Sequence, residues 1–157
     1  MLDKIKAFLK DANASPRLSE LVPEEQVAVC AILLEVAEAD REFVPEEFRE
    51  IIVQLRAYFG LSREQVEELI VLTEQEREKS TDLWPFTNAI ASAYTPEKKQ
   101  EVLAMVWQVI LSDNRLDPFE DQLAHRLQSM LSVNHSVLMA AKDQAKRIRE
   151  ARQSTTG

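Results

Sequence analysis

Glycine is almost missing from this chain of 157 residues, which holds two, Gly60 and Gly157. A backbone so poor in glycine seldom needs positive φ, and no phosphate-cradling glycine loop can be built from those two positions. Cysteine occurs once, as Cys30. An internal disulfide is therefore excluded, and no histidine lies near it in sequence to make the thiol a nucleophile. No apolar stretch approaches the roughly 20 residues a membrane-spanning helix needs. No charged-then-apolar signal segment opens the sequence, so the expected compartment is the cytoplasm. Positive charge is in deficit as well: the formal net charge is −8. That balance disfavours nucleic acid as a partner, because phosphate binding needs a clustered basic surface, and it suits a cation or a basic protein surface.

What is plentiful is Ala, Leu, Glu, Gln, Lys and Arg, the strong helix formers. Length fits one domain, 1–157, with a core of its own, and the expected fold class is all-α with seven to eight helices. Residues 2–10 put Leu2, Ile5, Phe8 and Leu9 on one face, a short amphipathic helix suited to packing on the body, to docking a partner or to peripheral membrane contact. A polar, turn-prone stretch follows from Asp11 to Ser19. A long helix starts at Pro23, carries Val27, Cys30, Ala31, Leu34 and Ala37 on one stripe, and ends near Asp40. The next begins at Pro45, buries Phe48, Ile51, Ile52, Leu55 and Phe59, and is closed by Gly60, a residue free to take the left-handed C-cap. Ser62 to Gln65 has the capping-box spacing and opens a helix with Val66, Leu69 and Ile70 that turns strongly charged toward Lys79.

Residues 83–94 read as a short connector helix with Pro85 in its first turn. Thr95 and Pro96 cap a helix whose inward stripe is Leu103, Val106, Trp107 and Ile110, ending near Asp113. Asp117, Pro118 and Glu120 open another, with Leu123, Leu127, Met130 and Leu131 apolar. The last helix starts after Asn134, shows Leu138, Ala141, Ala145 and Ile148, and runs into Lys146, Arg147, Arg149 and Arg152, basic residues suited to a helix C-terminus, before a disordered tail at 153–157.

Shifted on itself by 73 residues, the chain matches Pro23 with Pro96, Glu24 with Glu97, Ala31 with Ala104, Val36 with Val109, Asp40 with Asp113, Pro45 with Pro118 and Glu47 with Glu120. A one-residue gap then brings Leu55 to Leu127, Phe59 to Leu131 and Ser62 to Asn134. The pattern predicts a duplicated three-helix unit, residues 24–71 and 97–147, joined by the connector helix, each copy covering the apolar face the other cannot bury alone.

Four segments, residues 34–40, 59–62, 82–87 and 111–120, resemble the TerB-type tellurite-resistance family, which also includes the N-terminal domain of the DjlA co-chaperone. The resemblance covers Glu24 to Arg147. It implies an all-helical fold with pseudo-twofold halves, and a role in a bacterial stress response. The family pattern places Ala-Asp-Gly at each inter-helix loop, then a glutamate at the start of the next helix, and a metal-binding role attaches to those acids. Here Arg41 and Asn114 stand where the pattern has glycine; Asn tolerates a left-handed turn and Arg does so less readily. Neither a J-domain nor a membrane anchor accompanies the sequence, so the co-chaperone role is not expected of it.

The acids themselves admit two readings. Asp40 and Asp113 stand at helix C-termini, where the macrodipole disfavours a carboxylate by up to about 1 kcal/mol. With Glu47 in the first copy, and Asp117 and Glu120 in the second, they make an oxygen-rich set for a divalent cation such as calcium, magnesium or manganese. The spacing is not that of an EF-hand. Equally, Asp117 reads as an N-cap, Glu47 and Glu120 as first-turn acids, and Asp40 and Asp113 as Asx-turn residues. His125 and His135 lack partners at ligand spacing. Trp84, Phe86 and Trp107 read as core aromatics, and Glu74 to Glu78 as a solvated face. No constellation of catalytic residues emerges. The expectation is a non-catalytic helical module that binds a protein partner, the alternative being a divalent-cation sensor or buffer.

Overall fold

Local capping chemistry sets the helix limits. The computed structural model describes residues 23–39, 45–112 and 118–156, with the backbone alone for 118–121 and 153–156. Seven α-helices and no strands occur among the described residues. They are α1 (Glu24–Ala37), α2 (Pro45–Phe59), α3 (Arg63–Lys79), α4 (Trp84–Ala93), α5 (Pro96–Leu111), α6 (Pro118–Met130) and α7 (His135–Thr156). The amphipathic segment 2–10 expected from the sequence lies outside the described residues.

The Ser62 hydroxyl accepts from the Gln65 amide while the Gln65 side chain accepts from the Ser62 amide, completing the capping box of α3. Gly60 takes φ +66° at the end of α2, and the Leu61 amide reaches back to the Arg56 carbonyl at 3.2 Å. The same C-cap recurs 72 residues later: Ser132 has φ +59°, and the Val133 amide bonds the Gln128 carbonyl, also at 3.2 Å. The next cap recurs too, with Asn134 Oδ1 accepting from the Val137 amide as Ser62 does from Gln65.

Two helices are buried on every side. Ala28 to Leu34 of α1 and Val102 to Ile110 of α5 are all inaccessible, and the two helices pack on each other. A helix apolar all round must be covered all round. Helices α2, α3 and α4 cover α1, while α2, α6 and α7 cover α5. Trp107 is 0 % exposed at the centre of α5, its ring 4.7 Å from the Lys142 ammonium.

Three expectations change. Trp84 is 60 % exposed and outside the core, because its place at the first residue of α4 points it away from the face that Phe86 and Ile90 bury. Glu74 is only 4 % exposed, so the charged run of α3 is not a uniformly solvated face. Helix α7 continues to Thr156, through the stretch read as a tail, which leaves Arg147 and Arg149 well inside the helix.

Candidate functional site

Of the five acids singled out in the sequence, Glu47 is the one whose side chain the structure describes. It is the third residue of α2 and 0 % exposed, beside the buried Phe48. A carboxylate so placed requires compensation by charge or hydrogen bonds. Asp40, Asp113 and Asp117 lie outside the described residues, and Glu120 is described by its backbone on α6. Among the described residues no group of three or more His, Cys, Asp or Glu side chains is arranged to hold a metal ion.

The end of α1 is instead held by an arginine that the sequence did not single out. Arg77 of α3 grips Glu38 with both guanidinium nitrogens, Nη1 to Oε1 at 2.9 Å and Nη2 to Oε2 at 3.0 Å. Its Nη2 also donates to Glu35 Oε2 at 2.6 Å, and its Nη1 donates to Glu74. Three carboxylates thus share one guanidinium, with Arg77 and Glu74 largely removed from water. Burial pushes the Glu74 carboxyl above its ordinary 4.5; Arg77 opposes the rise and Glu38 adds to it. The carboxylates in turn hold the Arg77 guanidinium protonated against the opposing effect of burial. This cluster fixes where the chain leaves α1 for the first inter-helix loop.

Cys30 lies behind it, fully buried, and burial pushes its thiol up to about 12 despite a hydrogen bond with Thr73. A thiol so shifted is not a nucleophile near neutral pH. His125 and His135 look isolated in sequence, but the turn between α6 and α7 brings their rings to 6.0 Å, stacked at the surface.

An apolar groove of about 300 Å³ opens between α1, α3 and α4. Val27, Ala28, Leu72, Pro85, Phe86 and Ala89 floor it, and Glu24, Glu76 and Ser80 complete its lining. Exposed Trp84 immediately precedes Pro85 and Phe86 at the start of α4. No described helix is long and apolar enough to cross a membrane.

The family model described as tellurite resistance protein TerB matches residues 26–143. The chain belongs to the TerB family. No curated protein and no solved structure matches it. In this TerB chain, sequence reasoning marked acids near the loops but missed Arg77 and the groove. Only the i,i+3 spacing of Glu74 and Arg77 was visible beforehand; Glu35 and Glu38 lie 42 and 39 residues from Arg77.

Proposed function

We propose that this TerB domain is a non-catalytic protein-interaction module of a bacterial, tellurite-resistance-like stress response. It acts in the cytoplasm by accepting a partner's helix in the groove between α1, α3 and α4. The observation that carries this reading is the groove itself: an apolar floor, carboxylates from Glu24 and Glu76 in its lining, and a neighbouring exposed tryptophan. Exposed tryptophans are favoured anchors at interfaces, and an amphipathic helix laid in an apolar groove is a recurring recognition mode. The acidic lining and the net charge of −8 select a helix flanked by Lys and Arg.

A photo-crosslinking residue at position 84 or 89, introduced in cells under tellurite stress, should trap the same protein partner from both sites. The exposed position 56 on α2 should not trap it. Absence of a product at 84 and 89, or equal capture at 56, would refute the groove as the interface.

A second reading, uptake of a divalent cation at the inter-helix loops, draws support from the complete burial of Glu47 at the edge of the first loop. Asp40 and Glu47 would supply oxygens there, and Asp113, Asp117 and Glu120 in the second copy. Millimolar calcium, magnesium or manganese should then raise the melting temperature by mass action. Glu47→Gln and Asp113→Asn should each diminish the response; an unresponsive wild type removes this reading.

A further inference from the structure

Helix α7 follows α3 at a spacing of 72 residues, so Arg149 holds the register of Arg77. The residues facing that register differ. At the positions of Glu35, Glu38 and Glu74 the second copy has Gln108, Leu111 and Lys146. Without those carboxylates, Arg149 makes no hydrogen bond or ion pair among the described residues and lines a cavity of about 290 Å³. The cavity lies between the first half of α2, the end of α5 and α7.

Its lining combines three guanidinium groups, from Arg49, Arg149 and Arg152, with two carboxylates, from Glu46 and Glu50. Glu50 is committed to Arg152, which reaches its two oxygens at 2.5 and 3.2 Å. Glu46 is exposed. Gln108 is 9 % exposed, and its Oε1 accepts from Gln54 Nε2 at 2.7 Å. That bond orients the Gln108 amide and leaves its Nε2 hydrogens to donate. Val53 and Leu111 add apolar wall. A locally positive cavity in a chain of net charge −8, with an uncommitted guanidinium and an oriented amide donor, is built for a negative group. A guanidinium presents its donors to the two oxygens of a carboxylate or phosphate in one plane.

We propose that this cavity binds a small organic anion, its carboxylate or phosphate held by Arg149 and Gln108 and its apolar body against Val53 and Leu111. Titration calorimetry of the full chain with benzoate and with phenyl phosphate tests it and separates the two head groups. Saturable binding of at least one is expected, weakened at least tenfold by Arg149→Ala. Because Arg149 holds no ion pair, that variant should melt within about 1 °C of the wild type, since an exposed residue without partners contributes little to stability. Arg149→Lys should bind at an intermediate level, having lost the planar fork. No saturable binding of either anion up to about 10 mM, a range covering millimolar affinities, or equal binding by Arg149→Ala, would overturn the proposal.

Discussion

Arg77 and Arg149 share a register in the two copies and are used in opposite ways. In the first copy three carboxylates, two from α1 and one from α3 itself, converge on the guanidinium and tie α3 to the end of α1. In the second copy α7 is held to α5 by apolar packing, with Leu138, Ala141 and Ala145 fully buried, and the arginine is left to a cavity. Equivalent backbone positions therefore carry different electrostatics once a few side chains opposite them change. A charge with matched partners becomes a structural clamp, and the same charge without them becomes a binding group.

The largest effect should come from the buried centre the copies share. Trp107→Ala in α5 should cost roughly 3–5 kcal/mol and its register partner Leu34→Ala in α1 roughly 2–5 kcal/mol, measured by urea denaturation. A loss under about 1 kcal/mol at either would break the equivalence of the two central helices. Next, Arg77→Met should cost roughly 3 kcal/mol, since it strands Glu74 in a buried site, while Arg149→Met should stay within about 0.5 kcal/mol. Equal costs would end the contrast between clamp and binding group.

A smaller effect concerns pH. The folded-state value of Glu74 lies above its ordinary 4.5, so the folded protein holds this proton more tightly than the unfolded chain does. Its contribution to stability is complete below about pH 4.5 and is lost as pH rises through the folded-state value. Glu74→Gln should remove that part of the pH dependence and leave the variant at least as stable as the wild type at pH 7. A pH profile unchanged by the substitution would show that Glu74 keeps its ordinary titration. Transplanting an acid sharpens the comparison further: Gln108→Glu should capture Arg149 as Glu35 captures Arg77, and abolish anion binding in the calorimeter. The smallest effect lies at the paired C-caps, where Ser132→Gly should gain about 1 kcal/mol by relieving left-handed strain that Gly60 does not carry. A loss on thermal denaturation would mean that the Ser132 side chain is needed in the turn.

The sequence alone determined the helices and their caps, because these depend on residues within one turn of each other. The capping box at Ser62 and Gln65, the left-handed Gly60, the first-turn Pro85 and the Thr95 cap stand where local chemistry puts them. The resemblance to TerB was legible for the same reason, since its signals are short runs at the loops and helix starts. Tertiary structure alone decided which charges meet and which aromatic stays outside. Periodicity reports that a face is polar or apolar; it does not report which distant face lies opposite. Glu74 read as solvated because its neighbours in sequence are charged, yet α1 covers it and α3 turns Arg77 back onto it. Trp84 read as core because it is large and apolar, yet its position at the start of α4 leaves it in water. Arg149 was one basic residue among several until the fold set it beside Gln108 with no carboxylate of its own, and that pairing is a property of helix packing rather than of any local pattern.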